Sequence, residues 1–324
     1  MYSSKELLQM VEDAITSLPL EREPKGLYEP IRYVLSLGGK RIRPVLMLMA
    51  YNLYREDVKP CLMPAIGLET YHNFTLLHDD LMDRAEVRRG KTCVHLKWND
   101  NTAILSGDNM LVLAFQYMMQ CREEKLADVM RIFSKTAVEI DEGQQYDVDF
   151  ETRNDVTEAE YIEMIRLKTS VLLACALQIG ATLADAPKQD AQALYRFGEN
   201  LGLAFQLQDD FLDVYGDPKV FGKKIGGDIL CNKKTFMLIN ALLHASSEDR
   251  AELQRWIESK DGNPDEKIRS VTALYTKIGV DRMAKERMNT YYAEAQACLN
   301  QVSLPKERKQ MLRDIAHELM GRQK

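Results

Sequence analysis

The sequence predicts an all-α protein. Apolar residues recur at helical spacing along most of the chain, no run alternates at period two for long enough to suggest a sheet, and helix-start signals precede several of the periodic stretches. Leu7, Leu8, Val11, Ile15 and Leu18 open the pattern, with Ser3 and Glu6 spaced as a capping box. Further helices are predicted over about 26–36, 44–57, 62–83, 102–120, 126–147, 158–183, 188–215, 233–245, 248–259, 264–277, 280–301 and 305–320. Thr157 with Glu160 forms a second capping box. Pro44, Pro187 and Pro305 stand at expected helix starts, where a missing amide hydrogen does least harm. The stretches 44–54 and 169–183 are apolar nearly all round, as expected of helices at the centre of a large bundle.

The chain has 324 residues, 45% hydrophobic and 28% charged, and nothing in it reads as a linker, so one domain over 1–324 is expected. Its net charge of −6 offers no basic surface for nucleic acid. Any anion site must therefore come from local clusters of Lys and Arg. Cys61, Cys93, Cys121, Cys175, Cys231 and Cys298 lack the paired spacing of a zinc site or a disulfide framework, which points to a reducing cytoplasm. Glu6, Glu12 and Asp13 interrupt the N-terminal segment where a signal peptide would be apolar. The longest uncharged run, Thr169 to Ala184, is shorter than the ~20 residues of a membrane helix. A buried core helix is expected there, and no membrane span.

In LLHDDLMDRAEVRRG, Asp79, Asp80 and Asp83 sit at i, i+1 and i+4, so Asp79 and Asp83 share a helix face one turn apart. Carboxylates this close repel one another unless a cation joins them. Magnesium fits, because it takes one or two carboxylates and completes its shell with water and phosphate oxygens, which points to a diphosphate substrate. A single motif of this kind reads equally well as a solvated acidic helix end. FQLQDDFLDVYGD repeats the arrangement with Asp209, Asp210 and Asp213, and aspartate is a poor helix-interior residue. Two such motifs, facing each other across a bundle cavity, could grip one diphosphate through magnesium.

Basic clusters supply the remaining anion contacts. GGKRIRP carries Lys40, Arg41 and Arg43, RRG carries Arg88 and Arg89, and Lys168 beside Thr169 and then Lys223, Lys224 and Lys233 follow. Arginine offers a rigid fork to phosphate oxygens, lysine a point charge, and glycine a close backbone approach.

From about Gly38 to Thr235 the motifs GGKRIRP, ETYHNFTLLHDDLMD, RRG, GQQYD, KT, FQLQDD and GKKIGGD resemble, in order, those of the trans-isoprenyl diphosphate synthases, which include farnesyl and geranylgeranyl diphosphate synthases. The N-terminal helix and the region after about 240 match only as generic helices, apart from a short basic ending, GRQK. The resemblance implies the isoprenoid synthase fold, a homodimer, and three magnesium ions bound with the allylic diphosphate. Asp79, Asp83 and Asp209 would ligate metal, with Asp80, Asp210 and Asp213 supporting. Arg88, Lys168, Lys224 and Lys233 would hold the allylic diphosphate, and the double lysine leaves open whether Lys223 or Lys224 makes the contact. Lys40, Arg43, His72 and Arg89 would hold isopentenyl diphosphate without metal. Thr169 and Gln206 would place oxygens near the allylic cation, and Gln144 with Asp147 would support the same cavity. His78 is read as structural.

The implied reaction ionises an allylic diphosphate, adds isopentenyl diphosphate and eliminates a proton, with dimethylallyl, geranyl and farnesyl diphosphates as the candidate starters. Phe74, five places before Asp79, would floor the hydrocarbon cavity beside the smaller Thr75, which implies farnesyl or geranylgeranyl diphosphate as product. The competing readings are a longer-chain polyprenyl diphosphate synthase, a terpene cyclase, and a non-catalytic subunit that modifies chain length. A cyclase has no use for GGKRIRP, and a non-catalytic subunit has no need of six intact aspartates.

Overall fold

Nearly every periodic stretch folds as a helix in the computed structural model, which describes residues 1–217, 225–259 and 262–321. Helix α1 (Ser4–Thr16) starts on the reciprocal Ser3–Glu6 capping box and buries Leu7, Val11 and Ile15. Next come α2 (Lys25–Ser36), α3 (Ile42–Asn52) and the long α4 (Lys59–Met82). A two-residue hairpin, β1 (Val87–Arg88) with β2 (Lys91–Thr92), interrupts the helices. It is too short to leave an alternating pattern in the sequence. Then follow α5 (Val94–Lys97), α6 (Asp100–Met118), α7 (Glu123–Thr152) and α8 (Glu158–Ile165), the last begun by the Thr157–Glu160 capping box.

The predicted helix 158–183 is not uniform. Residues Arg166–Ser170 form a π-type turn, in which the Val171 amide reaches back to the Arg166 carbonyl, and α9 (Val171–Leu183) continues from it. The stretch 158–183 is long and apolar enough to cross a membrane by length and composition, yet 78% of its apolar window is buried within the protein. Beyond it lie α10 (Lys188–Tyr215), α11 (Gly227–Leu230), α12 (Phe236–His244), α13 (Ser247–Glu258), α14 (Pro264–Ile278), α15 (Val280–Gln301) and α16 (Gln310–Met320). Pro305 begins a run of turns rather than a helix, with the Gln310 amide on the Glu307 carbonyl at 3.3 Å.

The described chain divides into two compact units. One comprises Met1–Ser134, Cys175–Leu194 and Glu307–Met311; the other comprises Lys135–Ala174, Tyr195–Lys306 and the chain from Leu312. In the first unit, every residue of α3 from Pro44 to Asn52 is buried, which explains its all-round apolar character. A Cβ at Gly180 of α9 would lie 2.2 Å from the Met47 carbonyl oxygen, so glycine permits the close approach of these two apolar helices. Gly67 of α4 similarly meets the Met118 amide at the end of α6. The core of the second unit gathers Tyr161, Met164, Leu207, Phe211, Phe236, Leu253, Leu274 and Tyr275.

Candidate active site

In the first unit, Asp79 and Asp80 lie in the last turn of α4, and Asp83 is its C-terminal cap residue. The three carboxylates are not equivalent. Asp83 is exposed and Asp79 half-buried, whereas Asp80 is only 5% exposed and accepts from Arg88, whose Nε lies 2.9 Å away. Cys93 also hydrogen-bonds to Asp80. Asp80 is thus a buried anchor for Arg88, unlike the more exposed Asp79 and Asp83.

The hairpin explains how Arg88 reaches it. Arg89 and Gly90 form the two-residue connection, both with positive φ (52° and 75°), the pattern of a turn whose twist matches its strands. Arg88 then points to α4, while Arg89 donates to the carbonyl of Gly38, in the loop between α2 and α3. Gly39 is required there, since a Cβ would lie 2.7 Å from the Arg89 guanidinium carbon.

A second cluster lies where α3 begins. An Arg43 Nη1 sits 3.1 Å from His72 Nε2. Guanidinium can only donate, so Nε2 accepts and the imidazole proton is on Nδ1. Burial, together with the charges of Arg43, Arg89, Arg88 and Arg41, drives the His72 pKa well down, so the ring is neutral. Lys40 is exposed beside this cluster. Four of the sequence-predicted anion ligands, Lys40, Arg43, His72 and Arg89, therefore belong to one neighbourhood. Arg41 does not share their role: its side chain is wholly buried and bonded to protein groups.

Phe74 and Thr75 lie half-buried on α4. Phe74 packs between Tyr71 (ring centroids 5.5 Å apart) and His78 (4.8 Å), and Tyr71 packs on Phe133. The His78 ring occupies space that a Cβ at Gly107 would fill. The Thr75 hydroxyl bonds back to the His72 carbonyl at 2.8 Å.

In the second unit, Asp209, Asp210 and Asp213 lie on α10. Again the middle aspartate is turned inward. Asp210 is 5% exposed, with the Tyr161 hydroxyl donating to one oxygen and Gln206 Nε2 to the other at 3.1 Å. The Thr169 hydroxyl reaches Gln206 Oε1 at 3.4 Å, which joins Thr169, Gln206, Asp210 and Tyr161 in one polar chain. Burial, with the charge of Asp228 adding to it, pushes the Asp210 carboxyl up to about 7. Asp213 accepts the Asp228 amide at 3.0 Å, so the GGD segment braces the end of the motif.

Lys168 and Thr169 sit on the π-type turn, a local insertion that redirects side chains and recurs at functional sites. Glycines admit it: a Cβ at Gly143 of α7 would lie 2.3 Å from the Lys168 amide nitrogen, and one at Gly202 of α10 2.6 Å from Ser170 Cα. The Lys168 ammonium is 2.6 Å from Asp147, with Lys233 at 3.7 Å from the same oxygen. Burial would raise the Asp147 pKa, but the two lysines outweigh it and hold it below the usual carboxylate range. Gln144 lies half-buried one turn before Asp147 on α7. Lys223 and Lys224 lie outside the described residues.

Carboxylate oxygens of the two aspartate motifs are hard donors. Donors of this type fit magnesium, which takes one or two carboxylates and retains water and substrate oxygens in its shell. Sequence reasoning missed Tyr161, the π-type turn with its two glycines, and the burial of Arg41. A buried tyrosine and a backbone insertion leave no motif in a single sequence.

A family model described as polyprenyl synthetase matches residues 24–275, and the chain belongs to that family. It is 43% identical over 233 residues to a geranylgeranyl diphosphate synthase of Methanosarcina mazei, covering 71% of this chain and 72% of that protein. A short chain isoprenyl diphosphate synthase of Methanocaldococcus jannaschii is 36% identical over 323 residues, covering 99% of this chain and 96% of that one. A solved geranylgeranyl pyrophosphate synthase superposes with a TM-score of 0.94 at 42% identity, each chain covered completely. The fold is accordingly the all-α isoprenoid synthase fold.

Proposed function

We propose that this enzyme is a short-chain trans-prenyltransferase that adds isopentenyl diphosphate to allylic diphosphates and releases geranylgeranyl diphosphate as its main product. The observation that carries the reading is the parallel build of the two aspartate motifs. In each, the middle aspartate is locked inward, on Arg88 or on Tyr161 and Gln206, and the first is half-buried rather than buried. The names of the relatives support the twenty-carbon product over the fifteen-carbon one. All 324 residues would act as one domain, which a relative matching 99% of the chain supports.

Asp79, Asp83 and Asp209 are the proposed magnesium ligands, with Asp80, Asp210 and Asp213 holding them in place. Three magnesium ions bound there would neutralise charge on the allylic diphosphate and assist its departure. Lys168, Lys233 and Arg88 would hold that diphosphate as the carbon–oxygen bond breaks, and Lys223 or Lys224 would add a further contact. Lys40, Arg43, Arg89 and neutral His72 would hold isopentenyl diphosphate, the imidazole donating through Nδ1. The double bond of isopentenyl diphosphate then attacks the allylic carbon, and loss of a proton to the released diphosphate leaves a product five carbons longer. Thr169 and Gln206, with Gln144 behind them, would place oxygens near the transient cation. Phe74 beside Thr75 would limit the growing chain.

A homodimer is proposed through α6 and its C-terminal cap residue Met119, where Leu105, Val112 and Met119 recur every seven residues and are 60%, 55% and 46% exposed. A soluble, cytoplasmic enzyme is consistent with six free cysteines. Purified protein should be incubated with magnesium, labelled isopentenyl diphosphate and, separately, dimethylallyl, geranyl and farnesyl diphosphates. A twenty-carbon allylic product that is lost in Asp79→Ala supports the reading, and no elongation from any starter overturns it.

A further inference from the structure

We infer that Arg41 is a positioning residue which, clamped by Glu69 and Glu12, sets where Lys40 and Arg43 stand; the inference rests on the proposed isopentenyl diphosphate site. The sequence places Arg41 in the middle of a basic motif, as if it were one more anion ligand. Its geometry says otherwise. The side chain is 0% exposed, with Nε 2.9 Å from Glu12, Nη1 2.8 Å from Glu69 and Nη2 2.6 Å from the Leu35 carbonyl. Each nitrogen of the guanidinium is bonded to protein and the side chain is wholly buried, so the group does not face a ligand.

The backbone at Arg41 is left-handed, with φ of 46°, an arrangement that costs a non-glycine residue about 1 kcal/mol or more. It persists because the side chain is held. Arg41 is also the residue from which α3 starts, so this turn sets the direction of the helix that carries Arg43. Glu69 and His72 lie three residues apart on one face of α4, and they hold Arg41 and Arg43 respectively. Glu69 is itself fixed, accepting from Asn73 at 2.9 Å. The first unit therefore grips the GGKRIRP segment at two points of a single helix, with α1 adding a third through Glu12.

Stability alone is a poor reason for this arrangement. A buried ion pair contributes little more than well-packed apolar side chains of similar size, and sometimes less. What the ion pair adds is direction: it turns Arg41 inward at a position whose neighbours Lys40 and Arg43 must face a ligand. With the pair weakened, residue 41 relaxes from the left-handed region and Arg43 leaves His72.

The test is steady-state kinetics of Glu69→Gln and Glu12→Gln with both substrates varied, alongside calorimetric binding of isopentenyl diphosphate in EDTA, which requires no turnover. Glu69→Gln is expected to raise the KM for isopentenyl diphosphate and weaken its binding about tenfold, with the allylic KM unchanged. Glu12→Gln, at the half-exposed end of the clamp, should show a smaller rise in the same direction and serves if Glu69→Gln does not fold. Were Arg41 a substrate ligand, releasing it from Glu69 would lower that KM instead. A lowered or unchanged KM with unchanged binding overturns the inference, as does a parallel change in both KM values and kcat that tracks the melting temperature. Wild-type protein that fails to elongate any starter overturns the functional reading. The binding comparison in EDTA then still decides the role of Arg41.

Discussion

The Lys168 ammonium lies 2.6 Å from the Asp147 carboxylate, and Lys233 approaches the same oxygen at 3.7 Å. One acid therefore fixes two cations contributed by different elements, the π-type turn and the segment before α12. Asp147→Asn should lower kcat about 10- to 100-fold by misaligning both lysines. The KM for the allylic diphosphate should not rise, because the two cations lose their counter-charge and attract anions more strongly. Steady-state kinetics reads both values, and a raised KM with intact kcat would contradict this role.

Gly143→Ala should lower both stability and activity. Its Cβ would lie 2.3 Å from the Lys168 amide nitrogen, a contact with backbone that no rotamer change relieves. The expected cost is about 1–3 kcal/mol, read as a lower denaturation midpoint. Wild-type stability in this variant would show that α7 can retreat freely from the π-type turn.

Asp185 gives a pH dependence. It has left-handed backbone just after α9 and meets Arg55, Arg122 and Lys125 at 2.7–2.8 Å. Its bond to Lys125 is the largest influence holding its pKa far below the usual carboxylate range, and the two arginines add to it. A depressed folded pKa means a contribution that is fully present above the unfolded value of about 3.9 and is lost as pH falls toward the folded one. Asp185→Asn tolerates the left-handed backbone but removes the charge, and at this exposure the loss should be about 1–2 kcal/mol. Melting curves should show a constant gap from wild type between about pH 5 and 8 that narrows below about pH 4. A gap that does not change with pH would assign the loss to something other than charge.

Phe74→Ala should lengthen the product. The ring is held between Tyr71 and His78, and Tyr71 is itself packed on Phe133, so removing Phe74 opens space beside a side chain held in place. Product chain length by chromatography is the readout, and an unchanged twenty-carbon product would place the floor elsewhere. Gly107→Ala, which displaces His78, should blur the product distribution in the same direction.

Helices and aspartates were legible in the sequence because both depend on local spacing. The capping boxes at Ser3 and Thr157 form as their residue types require, and the all-round apolar stretch 44–54 became the buried α3. What escaped was set by tertiary geometry. The π-type turn at Arg166–Ser170 is one extra residue in a helix whose apolar pattern continues through it. Arg41 and Arg43 are the same residue type two places apart, yet of the two Arg41 has the left-handed backbone and pairs with Glu69, 28 residues away. The inward turn of Asp80 and Asp210 likewise depends on Arg88 and Tyr161, which no spacing within either aspartate motif specifies.

The tight hairpin turn at Arg89–Gly90 makes two consecutive arginines hold two separate parts of the first unit. Arg88 is fastened to the acidic end of α4, and Arg89 to the loop ahead of α3. The hairpin is therefore a short lever with a load at each end. A tilt of the hairpin as a rigid body would strain both grips at once, so the two contacts are coupled through its turn.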